Sequence, residues 1–234
     1  MGFSSFYSKQ VFINLIPKDI SGCRILEIGP GYGFYGWVIK ALRYGKDDVE
    51  LWGVEIEPEY YNACLTLGLY DNLICDDANK FIEEYLDHDW KFDFIIMSHV
   101  IEHIEKKKGI ILINNLKKLC SKRIIITCPE GNTIDKLKLP DKKLHDLHLS
   151  MWKEKDFKKL GFKTKHVRRA CAAGRVVVLF EKLWFFIKGL RHGGDVIAWF
   201  DHNASSSIPR ALDAFEPELA PEICACEKAS VFEA

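Results

Sequence analysis

The stretch ILEIGPGYGFYG, residues 25 to 36, carries the signature of the fold. It reads as an apolar strand that carries one acid, Glu27, followed by a glycine-rich turn that leads into a helix. Gly29, Gly31 and Gly33 let the backbone turn tightly and let a ligand approach where a β-carbon would collide. Such a turn suits a nucleotide-derived cofactor, although glycine turns also serve as plain strand-to-helix connectors. The turn therefore needs support from its neighbours in the chain.

Two further features sit at the right spacing. Glu55 ends the next strand, in GVEIEPEYY, where a carboxylate can accept both hydroxyl hydrogens of a ribose, with Ile56 beside it. In LICDDANKF the third strand ends at Asp76 and Asp77 before Ala78. An acid there can accept a hydrogen bond from an adenine amino group, while Ala78 and Phe81 border the ring. The other reading makes one of the two aspartates the cap of the helix that starts near Ala78, and two acids leave room for both jobs.

Along the rest of the chain, short β-branched runs alternate with longer amphipathic segments, the pattern of a parallel sheet covered by helices on both faces. Strands are expected at 24–28, 50–56, 73–76, 92–98 and 123–128, and helices near 35–44, 59–67, 78–86 and 104–119. Pro58 suits the first turn of its helix. Residues 3–16 have helical spacing, within a lid or packing element over 1–20. Trp152 to Leu160 reads as a helix that stops at Gly161, and 162–169 and 221–228 read as two more strands. The apolar stretch between those two, 170–215, reads as an inserted cap. Its aromatic set, Trp184, Phe185, Phe186, Trp199 and Phe200, either closes over an apolar acceptor or forms a cap-helix face or homodimer contact.

With these residues the chain resembles the class I S-adenosylmethionine-dependent methyltransferases, over about residues 20 to 170, and is similar to the small methyltransferases of biosynthetic clusters. The resemblance implies a single Rossmann-like α/β domain over 1–234, with a seven-stranded, mostly parallel sheet, helices on both faces and an antiparallel last strand supplied by 221–228. It implies S-adenosyl-L-methionine as cofactor. Glu27 would hold its methionine part, Glu55 the ribose and Asp77 the adenine. Ser98 and His99, in SHVIEHIEK, would line the cleft floor, with Glu102 and His103 opening the next helix. The segment HDLHLSMWKEKDFKKLGF, from His145, also resembles the stretch that precedes the sixth strand of these families.

His99, Glu102 and His103 stand at i, i+3 and i+4, so on a helix they share a face, and His145 and His148 could complete a metal site that polarises an acceptor hydroxyl. Ubiquinone-pathway and small-RNA 2′-O-methyltransferases resemble this block but carry Glu where this chain has His99, so no metal ligand is assigned. A middle reading keeps a histidine as general base, because an imidazole can take a hydroxyl or amine proton near neutral pH. His145, His148 and His103 are the candidates.

Composition mainly excludes. A hydrophobic fraction of 48% with 28% charged residues is that of a globular chain, which rules out disorder and collagen. The thirty-three basic and thirty-three acidic residues cancel, although bases dominate between Lys106 and Arg169, either as a solvated face or toward an anionic partner. Eight cysteines form no C-x-x-C and read as reduced, buried thiols of a cytoplasmic protein. The start, MGFSSFYSKQ, lacks the pattern of a leader, and the best apolar run, 176–190, is broken by Glu181, Lys182 and Lys188, so no membrane span is expected.

The expected reaction is an in-line displacement of a methyl group onto an oxygen or nitrogen of a small-molecule acceptor, with no nucleic-acid partner expected. A nicotinamide-dependent oxidoreductase is disfavoured because Phe34 stands where its third fingerprint glycine belongs. A metal-assisted RNA 2′-O-methyltransferase and a non-catalytic cofactor-binding relative remain as alternatives.

Overall fold

In the computed structural model the described residues are 6–42, 48–130, 147–168 and 194–202. The chain divides into two units, Met1–Ala204 and Ser205–Ala234, and every described residue belongs to the first. Its elements run in the order α1 (Phe6–Asn14), β1 (Arg24–Ile28), α2 (Phe34–Leu42), β2 (Glu50–Val54), α3 (Pro58–Leu67), β3 (Asn72–Ile74), α4 (Ala78–Tyr85), β4 (Phe92–Ser98), a 3₁₀ turn (Ile101–His103), α5 (Lys106–Leu119), β5 (Cys120–Glu130), α6 (Glu154–Lys159), β6 (Lys163–Arg168) and β7 (Gly194–Asp201).

The strands form one seven-stranded sheet in the order β3-β2-β1-β4-β5-β7-β6. β1 to β5 pair in parallel, and β7 lies antiparallel between β5 and β6. The order reverses between β1 and β4, which opens a crevice at the carboxyl ends of those two strands.

Local chemistry sets the helix limits. Pro58 occupies the first turn of α3, and Gly68 ends that helix in the left-handed conformation at φ 57°. The Asp77 side chain caps α4 by accepting from the N–H groups of Asn79 and Lys80. One sheet face carries Leu26, Ile28, Ile95, Met97, Ile124, Ile126 and Val196 into a core with Leu112, Leu116 and Phe157. On the other face Phe12 of α1 packs against Tyr35 of α2, ring centroids 4.4 Å apart, and the Arg123 guanidinium donates to the Leu15 carbonyl.

Two expectations are corrected. The antiparallel strand that completes the sheet is Gly194–Asp201, inside the stretch read as a cap, and Trp199 and Phe200 are therefore sheet residues; Phe200 lies 5.5 Å from Phe162. The reason is burial: GDVIAWFD is mostly apolar and its first six residues are buried, as in a strand covered on two sides. Residues 221–228 and Trp184, Phe185 and Phe186 lie outside the described residues. Second, Glu102 and His103 do not open α5. They sit in a separate 3₁₀ turn, and α5 begins at Lys106 after extended backbone at Ile104.

Among the described residues no helix is long and apolar enough to cross a membrane. Cys23, Cys64, Cys120 and Cys128 are buried free thiols, and Cys75 is free and exposed. Several lysines of the basic stretch are engaged locally: Lys106 with Asp156 at 3.0 Å, Lys122 with Asp93 at 3.1 Å, and Lys117 with the Leu160 carbonyl.

Candidate functional site

The glycine turn leaves β1 directly above the crevice. Gly29 stands at φ 68°, and a β-carbon there would come within 2.3 Å of Val100 Cγ2, so the β4 loop closes onto backbone that only glycine provides. Glu55 reaches the turn from the end of β2. Its Oε2 accepts the Gly31 N–H at 2.9 Å and its Oε1 accepts the Glu57 N–H at 2.9 Å. Burial pushes the Glu55 carboxyl up, against these backbone hydrogen bonds. The Cys64 thiol donates to the Gly31 carbonyl from α3, which fixes the turn from a second side.

Glu27 lies beneath the turn, 2% exposed. Tyr70, from the loop between α3 and β3, donates its hydroxyl to Glu27 Oε2 at 2.8 Å. Burial pushes the Glu27 carboxyl up to about 8; the Tyr70 hydrogen bond opposes this and the neighbouring Glu55 charge adds to it.

At the end of β3 the two aspartates have separate tasks. Asp77 Oδ1 accepts from Asn79 and Lys80 N–H as the α4 cap, whereas Asp76 pairs with the Lys80 ammonium at 2.7 Å, which holds its carboxyl low. Ile56 is exposed at the start of the loop after β2, and Ala78 is half-buried.

Beyond β4, Ser98 is half-buried and His99 adopts φ 55°, the left-handed region that a non-glycine residue enters only at a cost. The His99 N–H donates to the Thr127 carbonyl at 2.9 Å, and its Nδ1 lies 3.3 Å from Glu102 Oε1. The Glu102 carbonyl accepts the N–H groups of Leu149 and Ser150, and Trp152 Nε1 donates to the Ile101 carbonyl at 3.1 Å. These bonds lay residues 147–152 against the 3₁₀ turn and bring His148 to His103, ring centroids 4.9 Å apart. His103 Nδ1 lies 3.2 Å from the Leu147 carbonyl; as the donor there it leaves the lone pair on Nε2. One ligand atom each from Glu102, His103 and His148 lies within 4.8 Å of the others.

A family model described as "Methyltransferase domain" matches residues 6–160. The chain belongs to this methyltransferase family. No curated protein matches it. The methyltransferase fold is shared with a SAM-dependent methyltransferase from Archaeoglobus fulgidus (19% identity, TM-score 0.53, covering 83% of this chain and 93% of that one). It is shared as well with the methyltransferase complexed with the Haloferax volcanii Trm112 methyltransferase activator (10% identity, TM-score 0.53, 83% and 88%) and with the DhpI-SAM-HEP complex (11% identity, TM-score 0.50, 84% and 87%). The protein is accordingly an S-adenosylmethionine-dependent methyltransferase.

Within this methyltransferase, Glu27, Gly29, Gly31, Gly33, Glu55, Ser98 and His99 come together where β1, β2 and β4 end, and Asp76, Asp77 and Ala78 stand at the neighbouring end of β3. His103 and His148 meet, and His145 lies outside the described residues. Sequence reasoning missed Tyr70, Cys64 and Val100. No periodicity marks them, and only the crossing of the β4 loop, α3 and the loop after α3 over the turn makes them part of the site.

Proposed function

We propose that the protein transfers the methyl group of S-adenosylmethionine to an oxygen or nitrogen of a small-molecule acceptor by in-line displacement. The observation that carries the reading is the Glu55 carboxylate, held by backbone N–H groups at the rim of the glycine turn, where a ribose diol would find an oriented acceptor. Glu27 takes the ammonium of the methionine part, and Asp77 takes the adenine amino group between Ile56 and Ala78. Ser98 and His99 form the floor, and Gly29, Gly31 and Gly33 supply the close approach. The bound sulfonium supplies an activated methyl group; the protein aligns acceptor and donor and excludes water. His103 and His148 take the acceptor's proton, with His145 as a third candidate. Buried free thiols fit a reducing, cytoplasmic setting.

Calorimetry with S-adenosylmethionine and its demethylated product, on wild type and on a Gly31 and Glu55 double variant, tests the cofactor site. Labelled methyl donor offered to fractionated metabolites and RNA tests the acceptor class. Unchanged affinity in the double variant overturns the site.

A second reading is favoured by one observation. Glu102 is 2% exposed, its carboxylate makes no hydrogen bond beyond the 3.3 Å approach of His99 Nδ1 to Oε1, and His103 and His148 converge on it. A divalent cation on these three residues would lower the pKa of an acceptor hydroxyl, as in metal-assisted O-methylation.

A further inference from the structure

A buried acid that plays no part in this reaction scheme stands at the opening of β7. Asp195 is 0% exposed, and neither of its carboxylate oxygens has a hydrogen-bond partner. Thr127 Oγ1 on β5 is likewise buried without one. Leaving such groups unpaired is costly, and sites that bind a polar ligand are where the cost is tolerated.

Strand register places Asp195 on the sheet face that carries Glu27. Side chains alternate across a strand and directly paired residues share a face. Glu27 pairs with Ile96, Ser98 with Thr127, Thr127 with Ile197, and Pro129 with Asp195. Glu27, Ser98, Thr127 and Asp195 therefore project from one face of four adjacent strands, all near the carboxyl ends of β1, β4 and β5. The Tyr35 hydroxyl closes the row from α2. Burial drives its ionisation up; the Ser98 hydroxyl beside it opposes this, and the charges of Glu27 and Asp195 add to it.

The geometry points to Asp195, with the Thr127 and Tyr35 hydroxyls, as the seat of the acceptor's amino group, which makes the acceptor an amine. This rests on the proposed transfer to a small molecule. A primary ammonium brings three N–H donors, enough for both Asp195 oxygens and one hydroxyl, whereas an alcohol brings one and leaves the carboxylate under-satisfied. In the reaction the ammonium passes a proton to Asp195, which for an amine acceptor takes the role of His103 and His148; the nitrogen lone pair forms the new N–C bond, and the methyl–sulfur bond breaks with its electron pair left on sulfur. The products are a methylammonium, the neutral thioether and the proton that Asp195 releases to water.

The test compares wild type with Asp195→Asn, both loaded with S-adenosylhomocysteine. Thermal unfolding is followed with and without ethanolamine, phenethylamine and putrescine, and with acetate as the control. An unpaired binding carboxylate predicts that the variant gains about 2–4 °C, while affinity for S-adenosylhomocysteine stays within about twofold. The amines should raise the midpoint of the wild type alone, and labelling of extract amines should fall at least about tenfold in the variant, the cost of a lost charged hydrogen bond. Amines that shift neither protein, or both equally, overturn the assignment, as does a variant that unfolds earlier with labelling intact. Failure of the wild type to bind S-adenosylhomocysteine would instead strike the cofactor site, and the amine shifts are then read on the unliganded protein.

Discussion

Tyr70 is the lid on Glu27: its hydroxyl donates to Oε2 at 2.8 Å while its ring fills the space above two glycines. A β-carbon on Gly36 would come within 2.4 Å of the Tyr70 hydroxyl oxygen, and one on Gly53 within 2.9 Å of Tyr70 Cδ1. Gly36, the last glycine of the 25–36 stretch, thus serves a protein side chain.

Tyr70→Phe removes the donor and leaves a buried acid short of a partner. Stability should fall by about 1–3 kcal/mol in chemical denaturation. Gly36→Ala should also destabilise, although alanine in a helix ordinarily gains about 1 kcal/mol over glycine. A stabilised Gly36→Ala protein would show that the Tyr70 ring is not held where it lies.

Glu27 should make stability depend on pH. Its folded carboxyl titrates near 8, above the ordinary 4.5, so between these values the folded state holds a proton that the unfolded state has lost. The stabilisation is complete below about 4.5 and is lost as pH rises through 8. Thermal midpoints should fall across that window in wild type and flatten in Glu27→Gln. Binding of the cofactor ammonium would expel the same proton. Calorimetry at pH 6 to 7 in buffers of different ionisation enthalpy should therefore report release of up to about one proton in wild type and none from this site in Glu27→Gln.

Gly29→Ala meets two obstacles, a left-handed φ of 68° and the Val100 methyl at 2.3 Å. The expected cost is about 2 kcal/mol or more, with weakened cofactor binding. Adding Val100→Ala should recover the steric part and leave the backbone part. A double variant no better than the single one would mean that the φ strain accounts for the whole loss.

Glu102→Gln separates the two readings of the histidine pair. If the three converging ligands hold a divalent ion, wild type should bind one Mn²⁺ or Mg²⁺ by calorimetry, the variant should lose at least about tenfold in affinity, and a chelator should stop methyl transfer. No binding in wild type, with transfer unaffected by chelator, leaves the histidines as proton acceptors alone.

The glycine turn, Glu55 and the alternation of elements were legible in the chain because each is local: a turn that only glycine enters, an acid at a strand end, an apolar period of two or near four. That was enough for the sheet, its helices and the cofactor. The resemblance gave Asp77 the adenine, but the chain alone leaves open which of Asp76 and Asp77 caps α4, since that depends on backbone direction at Ala78.

Contacts between distant residues were decided by tertiary structure. Tyr70 reaches Glu27 across 43 residues of chain, His148 reaches His103 only because the Glu102 carbonyl holds residues 149 and 150, and the antiparallel seating of β7 puts Asp195 on the same sheet face as Thr127. The last strand was misplaced for the same reason. A mostly apolar run such as GDVIAWFD fits a cap or a buried strand equally well until its neighbours β5 and β6 close around it.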